Sequence, residues 1–421
     1  MSAPDLAQSL FERLMNELSE ESREALYACL DICEARGVGL FLVGGAVRDL
    51  LLERANLDLD LSIEGPTAPI AEALAWRLNG RLVVHERFGT ASVSGHGFKL
   101  DLAQTRRETY TKPGALPTVE PVTSILDDLS RRDFSVNALA LRLTPPRELV
   151  DPHGGVDDLR AGRIGVLHEG SFRDDATRML RAVRYATRLG FSLEPDTDAW
   201  LRRDLAYVEA VTGARLRREL SLTFEEARAA EATLFADRVG ILRTIHPLLS
   251  LEEALAGRWR QALENEHHGH LDDLGYCLVA RVEDEGDVDS IVRRLLVSGR
   301  VETALRDLVR LRGLSAKLAV SVQDPVAAVE LLDGRSPAAV WALSLLDEGA
   351  AGTACARYLS EWRHVKASLT GRDLRALGLQ PGERLGSILQ RLRRARLRGE
   401  VISRDDELSL VLNEIDKDGA T

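Results

Sequence analysis

LVGGAVRDLLLERANLDLDLSIEG, residues 42–65, changes period twice: an apolar run into Gly44 and Gly45, a helical stretch, then strict alternation from Leu57 to Glu64. Alternate side chains of a strand share a face. Leu57, Leu59, Leu61 and Ile63 therefore turn to a core, and Asp58, Asp60, Ser62 and Glu64 turn away from it. An amphipathic strand with a solvated acidic face gives the same alternation, so the run alone leaves both readings open. Neighbouring carboxylates raise one another's pKa unless a cation lies between them. Hard divalent ions with oxygen ligands, Mg²⁺ above all, answer that need.

Upstream, the adjacent glycines Gly44 and Gly45 open a helix carrying Arg48. Such a pair lets backbone N–H groups face a phosphate at a helix N-terminus, although many glycine pairs are only turns. Downstream, FKLDLAQ (98–104) alternates again and offers a third carboxylate at Asp101. If this strand lies beside that of Asp58 and Asp60, three carboxylates converge. Three carboxylates, two metal ions and a phosphate cradle describe in-line nucleotidyl transfer, which needs no histidine or cysteine nucleophile.

Between residues 40 and 143 the β-rich runs FLVGG, LDLDLSI, GRLVVHE, TASVSG, FKLDLAQ and NALALRL alternate with helical pieces such as TAPIAEALAWRL. This is the pattern of a mixed α/β domain. A helical stripe of leucines precedes it over residues 5–36, and nearly everything beyond residue 170 reads as helix. The turn-rich DPHGGVDDLRAGRIG at 151–165 marks the change. The fold class is thus α+β, a palm of five or so strands followed by an all-α remainder.

A net charge of -11 argues against indiscriminate coating of nucleic acid but leaves room for a local basic groove. No apolar run is long enough to span a membrane, and the N-terminus is unlike a secretory signal, so a cytoplasmic protein is expected. Cys29, Cys33, Cys277 and Cys355 are too scattered for a disulfide framework or a zinc site and read as reduced filler. His267, His268 and His270 lack the spaced acids of a phosphohydrolase and read as a solvated loop or helix end.

Residues 42–65 resemble the signature of the polymerase-β-type nucleotidyltransferase superfamily, in particular the class II tRNA nucleotidyltransferase and bacterial poly(A) polymerase family. DDLSRRDFSVNALAL (127–141), DPHGGVDDLRAGRIGVLH (151–168), SFRDDATRMLRAVRYATRLGFSLEPDT (171–197) and LTGRDLRALGLQPGERLGSIL (369–389) are similar to the same family, in the same order. The resemblance implies a palm at 37–150 behind an N-terminal helical segment at 1–36, then a neck at 151–215, a body at 216–300 and a tRNA-binding tail at 301–421.

The resemblance also implies site residues. Asp58 and Asp60 hold the Mg²⁺ ions, with Asp101 as third catalytic carboxylate. Gly44, Gly45, Arg48, Arg131, Arg132, Asp133 and Asn137 bind the nucleotide, the RRD segment reaching its ribose and triphosphate. Asp174, Asp175 and Arg178 stand for the family's EDxxR motif, which reads the base without a nucleic-acid template; here the first acid is one methylene shorter. As i and i+3 of a helix, Asp175 and Arg178 share a face. A carboxylate with a guanidinium complements C and A, whose exocyclic amines donate, and rejects G and U. Arg178, Arg181, Arg184 and Arg188 fall on one helical stripe that either meets triphosphate and RNA or is a solvated face. The polar stretch 103–126 is similar to the family's flexible loop, and it resembles that of A-adding members at least as well as that of complete CCA-adding ones.

In the tail, the helix around 390–398 carries Arg391, Arg393, Arg394, Arg396 and Arg398; Arg391, Arg394 and Arg398 are taken as contacts to a tRNA arm. The implied activity is transfer of CMP and AMP from CTP and ATP to the tRNA 3′ end, with release of pyrophosphate and no stable protein partner. Addition of A alone, poly(A) synthesis, a silent RNA-binding protein on the same fold, and nucleotidyl transfer to a small molecule are the alternatives.

Overall fold

The computed structural model describes residues 3–54, 59–85, 89–265 and 271–419, so Asp58 and the histidines at 267, 268 and 270 lie outside the described residues. The chain forms two compact units, one of residues 1–219 with 238–245 and one of residues 220–237 with 246–421.

The first unit begins with helices α1 (Ala3–Glu17) and α2 (Glu20–Ala35). The expected single helical stripe is broken at Ser19, whose hydroxyl accepts from the Ser22 N–H and so caps α2. Then come β1 (Leu40–Val43), α3 (Gly45–Leu51), β2 (Asp60–Ile63), α4 (Thr67–Leu78), β3 (Arg81–His85), β4 (Thr90–Gly95) and β5 (Phe98–Gln104). Next are β6 (Arg106–Thr109), β7 (Thr118–Pro121), α5 (Ile125–Ser130), β8 (Ala140–Arg142) and β9 (Glu148–Val150). Helices α6 (Gly155–Ala161), α7 (Ser171–Asp174) and α8 (Thr177–Leu189) follow.

Seven strands form one mixed sheet in the order β3-β4-β5-β2-β1-β8-β9. β1 is central and buried at all four residues, as a continuous apolar run requires. β5 runs parallel to β2, with Asp60 paired to Asp101 and Leu61 to Leu102, while β1 is antiparallel to both β2 and β8. All six strands read from the sequence are present. The sheet exceeds five strands partly because β9, three residues long, is too short to show a period. Helix α4 packs against β4 and β5, α2 against β5, and α1 against β8 and β9.

The stretch 103–126 is not merely a loop. β6 and β7 pair as an antiparallel ribbon, with Glu108 opposite Val119 and Thr109 opposite Thr118. Its residues are mostly polar and mostly exposed, so backbone bonds hold it where no apolar alternation announces it. Buried Thr105 anchors its root, its hydroxyl donating to the Val122 carbonyl at 2.6 Å. At the tip, a Cβ on Gly114, whose φ is +75°, would stand 2.4 Å from the Ala210 carbonyl oxygen, so glycine permits that approach.

Among its described residues the second unit contains helices and no strand beyond the isolated bridge of Leu249 with Ala280. Phe224, Trp259 and Tyr276 are fully buried, with Phe224 edge-on to Tyr276 at 5.0 Å. A separate apolar cluster of Leu369, Leu374, Leu379, Ile388, Leu392 and Val411 closes the C-terminal end. The four cysteines are free and buried. No helix among the described residues is long and apolar enough to cross a membrane.

Candidate active site

Two cavities open in the first unit, of about 430 Å³ and 370 Å³. Both are bordered by Asp60, Arg131 and Arg132. The larger is lined by five guanidiniums (Arg48, Arg131, Arg132, Arg178, Arg181) and five carboxylates (Asp49, Asp60, Glu108, Asp133, Asp175). It is therefore a mixed set of cations and acids rather than a plain basic hole. The smaller cavity holds Asp101, Ser92, Thr90 and Arg106 beside Asp60.

At the carboxylate end, the pairing of β2 with β5 sets Asp60 opposite Asp101. The face read as turning away from the core is a cleft rather than open solvent: Ser62 on it is buried and lines the smaller cavity. Lys99 Nζ donates to Asp101 at 2.5 Å, and the Ser92 hydroxyl bonds the other oxygen. Burial alone raises the Asp101 pKa, but these two donors hold it below the ordinary carboxylate value.

A metal site fits this end chemically. Two carboxylates in register on adjacent strands form an oxygen-only donor set that suits a hard divalent ion. Among the described residues no group of three candidate ligands gathers, and the sequence-expected ligand Asp58 lies outside them.

Gly44 takes φ +70° at the entry to α3, and a Cβ there would meet Arg132 Nη1 at 2.6 Å. The glycine thus leaves room for the Arg132 guanidinium over the turn. Arg48 is buried; its Nε and Nη2 each donate to Asp49 at 2.9 Å and its Nη1 to Asn137 Oδ1 at 2.7 Å. Asn137 Nδ2 passes a bond to Asp133 Oδ1 at 3.0 Å, and Arg181 Nε donates to Asp133 Oδ2 at 2.8 Å. Arg48, Asn137, Asp133 and Arg181 are one polar chain. Burial raises the Asp133 pKa, yet Arg181 and Asn137 bring it below the usual carboxylate range.

Arg131 and Arg132 share a partner that the sequence pattern did not single out. Asp128, fully buried on α5, accepts from Arg131 Nη2 at 2.9 Å, from Arg132 Nη2 at 3.0 Å and from the Arg106 N–H at 3.2 Å. Burial pushes its pKa up, and the two guanidiniums overcome this and lower it. The i+3 and i+4 spacing to the two arginines was the available signal.

The DDxxR segment departs from the helical expectation. α7 ends at Asp174, and Asp175 sits in extended backbone (φ -143°, ψ 98°) ahead of α8. Its Oδ1 accepts from the Thr177 N–H and hydroxyl, at 3.0 and 2.7 Å, a local side-chain turn that competes with helical backbone at Asp175. Its Oδ2 is held by Arg215 Nη2 at 2.7 Å, a residue of the helix Gly213–Phe224 that no sequence pattern flagged. Arg178 is buried, its Nη2 donating to the Arg131 carbonyl at 2.9 Å. Asp175 and Arg178 still line one cavity. Asp174 does not line it; it stands 3.6 Å from His168 Nε2.

The arginine stripe of α8 is mostly committed. Arg184 donates to Glu219 at 2.9 Å and stands outside the cavity lining, while Arg181 serves Asp133. Tyr185, also unforeseen, packs edge-on to Phe134 and lies 5.2 to 5.9 Å from the guanidinium carbons of Arg48, Arg181, Arg184 and Arg188.

In the second unit the five tail arginines do not form one basic face. Arg393 donates to the Val365 carbonyl and pairs with Asp333, and Arg396 is bound by buried Glu407. Arg391, Arg394 and Arg398 are the exposed ones, Arg394 facing Glu330 at 2.9 Å.

Residues 40–165 match the model of the poly(A) polymerase head domain. The A-adding tRNA nucleotidyltransferase of Geobacter sulfurreducens is 35% identical over 422 residues, covering 90% of this chain, which spans only 45% of that relative's length. The CC-adding tRNA nucleotidyltransferase of Deinococcus radiodurans is 34% identical over 374 residues, 87% of each chain. The solved structure of the Thermotoga maritima CCA-adding enzyme complexed with tRNA superposes with a TM-score of 0.76 at 25% identity, covering 96% of this chain and 98% of that one. With the carboxylate strands, the RRD turn and the Asp175–Arg178 pair in one compact unit, and a relative this similar along most of both lengths, the chain belongs to the class II tRNA nucleotidyltransferase and poly(A) polymerase family.

Proposed function

We propose that the chain is a template-independent nucleotidyltransferase that adds CCA, or part of it, to the tRNA 3′ end from CTP and ATP, releasing pyrophosphate. The observation that carries this reading is the position of Asp60. It borders both the cavity holding Asp175 and Arg178 and the cavity holding Asp101. A nucleoside triphosphate fits the first, its base at Asp175 and Arg178 and its phosphates toward Arg131, Arg132 and Arg48. The acceptor hydroxyl then approaches from the Asp101 side, in line with the leaving pyrophosphate.

Asp58, Asp60 and Asp101 would hold Mg²⁺, which would supply activation of the hydroxyl and stabilisation of the leaving group. The chain's own residues orient and select. Asp128 aims both RRD arginines, and the Asp133–Asn137–Arg48 chain fixes the ribose side. Asp175, locked by Thr177 and Arg215, offers its carboxylate to the exocyclic amine of C or A, and Arg178 donates to the ring acceptor. Carboxylate and guanidinium both point the wrong way for G and U. We assign the head to 37–150, the neck to 151–215, the body to 216–300 and the tRNA-holding tail to 301–421, with Arg391, Arg394 and Arg398 on phosphates. The tRNA named in the Thermotoga complex supports that acceptor.

Addition of the terminal A alone is a second reading, favoured by the likeness to the A-adding Geobacter protein along 90% of this chain. The experiment takes a tRNA transcript truncated before its CCA end and supplies CTP, then CTP with ATP. CCA addition gives two nucleotides with CTP and a third with both. A transcript untouched by CTP, while one ending in CC gains a single A, overturns complete CCA addition in favour of terminal A addition.

A further inference from the structure

Hydrogen bonds from Asp175 and Arg178 lie in the plane of a base and select it only if that plane is held. Of the described residues lining the larger cavity, the aromatic ones are Tyr110 and Tyr185. Tyr185 is engaged elsewhere, with the guanidinium carbons of Arg48, Arg184 and Arg188 at 5.5, 5.3 and 5.2 Å from its ring centre. Tyr110 has Arg178, one of the two proposed reading residues, 5.9 Å from its ring centre.

The ring of Tyr110 is braced. Its hydroxyl donates to Glu108 Oε2 at 3.1 Å, and Glu108 Oε1 accepts from Arg131 at 3.1 Å. Tyr110 directly follows β6, whose pairing with β7 and rooting at Thr105 tie it to the sheet. Burial, with Glu108 and Asp175 nearby, pushes the phenol up to about 12, so it remains a neutral donor to Glu108 throughout the working range. An aromatic face fixed beside an edge-reading pair is the arrangement that stacks a base while leaving its identity to the hydrogen bonds.

We infer that Tyr110 is the platform of the base subsite: the base of the incoming CTP or ATP packs on its ring while Asp175 and Arg178 read the edge. The assignment rests on the proposed function, since it places a nucleotide in this cavity. The ribbon that the sequence presents as a polar loop thereby contributes a wall of the site, and Tyr110 acts on C and A alike.

The test uses the full chain with tRNA ending in CC and with tRNA lacking CCA, measuring KM and kcat for ATP and CTP. Inorganic tripolyphosphate serves as a competitor without a base. Tyr110→Leu is expected to raise KM for each nucleotide that the wild type incorporates about tenfold, with tripolyphosphate inhibition unchanged and Tyr110→Phe restoring the wild-type KM. An unchanged KM in Tyr110→Leu overturns the inference. So does an equal weakening of tripolyphosphate, because Tyr110 then acts only through Glu108 and Arg131. Should Tyr110→Leu not fold, Tyr110→Trp keeps a ring and adds a fluorophore: quenching by ATP and none by tripolyphosphate supports the platform, and equal responses overturn it. A wild-type chain that incorporates neither nucleotide overturns the proposed function and this inference with it. Wild-type incorporation with an indifferent Tyr110→Leu overturns the inference alone.

Discussion

Asp60 and Asp101 are register partners on the parallel strands β2 and β5. Neighbouring strands run about 4.8 Å apart, so the two acids in register form an oxygen donor pair that a shared cation would suit, with Lys99 and Ser92 already serving Asp101. Removing either charge removes the seat of that cation. Asp60→Asn and Asp101→Asn are each expected to lower nucleotide incorporation by about a hundredfold or more, since the ions contribute several kcal/mol to the transition state. The melting temperature should hold or rise slightly as like-charge repulsion is relieved. EDTA should stop the wild type, with Mg²⁺ restoring it; a variant keeping a tenth of the activity would contradict the assignment.

The two adjacent glycines differ in what one added methyl group would meet. A Cβ on Gly44 would meet Arg132 Nη1 at 2.6 Å in a backbone with φ +70°, whereas on Gly45 the nearest atom is Arg48 Nη2 at 3.4 Å. Gly44→Ala should cost about 1–3 kcal/mol of stability and displace Arg132 from Asp128, raising KM for the triphosphate. Gly45→Ala should fold nearly as the wild type. Thermal melts and steady-state kinetics on the pair check both, and equal behaviour of the two variants would refute the argument.

The fold and half of the site were legible because they repeat. β2 and β5 alternate, β1 is a solid apolar run, and the RRD and DDxxR spacings sit in order along the chain. What escaped notice lacks a period. β9 is three residues long, and the β6–β7 ribbon has polar residues on both faces. Asp175 reads as helical by position, but its side chain bonds the Thr177 N–H and so ends the preceding turn. Arg215 lies 40 residues from the carboxylate it holds, and Glu108 lies 23 residues before its partner Arg131. Such long-range pairings are decided by tertiary packing. The tail shows the converse: five arginines look alike in sequence, and only packing distinguishes those bound to Asp333 and Glu407 from those facing outward.

Asp133 ties acid stability to the polar chain of Arg48, Asn137 and Arg181. Burial disfavours its charge, but Arg181 and Asn137 hold its folded pKa below the unfolded value of about 4. A depressed carboxylate contributes stability that is present above the unfolded pKa and lost as pH falls through the folded one. Asp133→Asn leaves Arg181 with Glu219, at 4.0 Å, as its remaining charge partner and should cost about 2–3 kcal/mol at neutral pH, the low end for a buried pair because Arg181 is one-third exposed. The gap between variant and wild type should be constant above about pH 5 and narrow below about pH 4. Denaturant midpoints across that range measure it, and a gap that widens in acid would show that Asp133 is not the group concerned.

Arg215 fixes one oxygen of Asp175 while Thr177 fixes the other. Arg215→Ala frees the carboxylate to rotate and leaves Thr177 as its remaining side-chain anchor. Discrimination for C and A against U and G should fall by about tenfold or more, the effect of removing one charge-assisted bond, with smaller change for the favoured nucleotides. Competition between ATP and GTP, and between CTP and UTP, reads this directly. A variant whose activity falls evenly on all four nucleotides would mark Arg215 as purely structural.

Exposure sorts the tail arginines into two kinds with opposite expected phenotypes. Arg396 closes on Glu407, which is fully buried and also accepts from the Ser368 and Leu369 N–H groups at 2.9 and 2.7 Å. Arg396→Ala leaves that carboxylate short of its counter-charge and should lower the melting temperature by several degrees, a cost of about 1–2 kcal/mol. Arg391, Arg394 and Arg398 are exposed, and their pairs with neighbouring acids, such as Arg394 with Glu330, are worth little in solvent. Replacing them by alanine should leave the melt unchanged and weaken tRNA binding, with the slope of log K against log salt falling by about 0.7–0.9 for each phosphate that is no longer neutralised. Filter binding across a salt series measures that slope. A triple variant whose slope matches the wild type would move the tRNA-binding surface away from this helix.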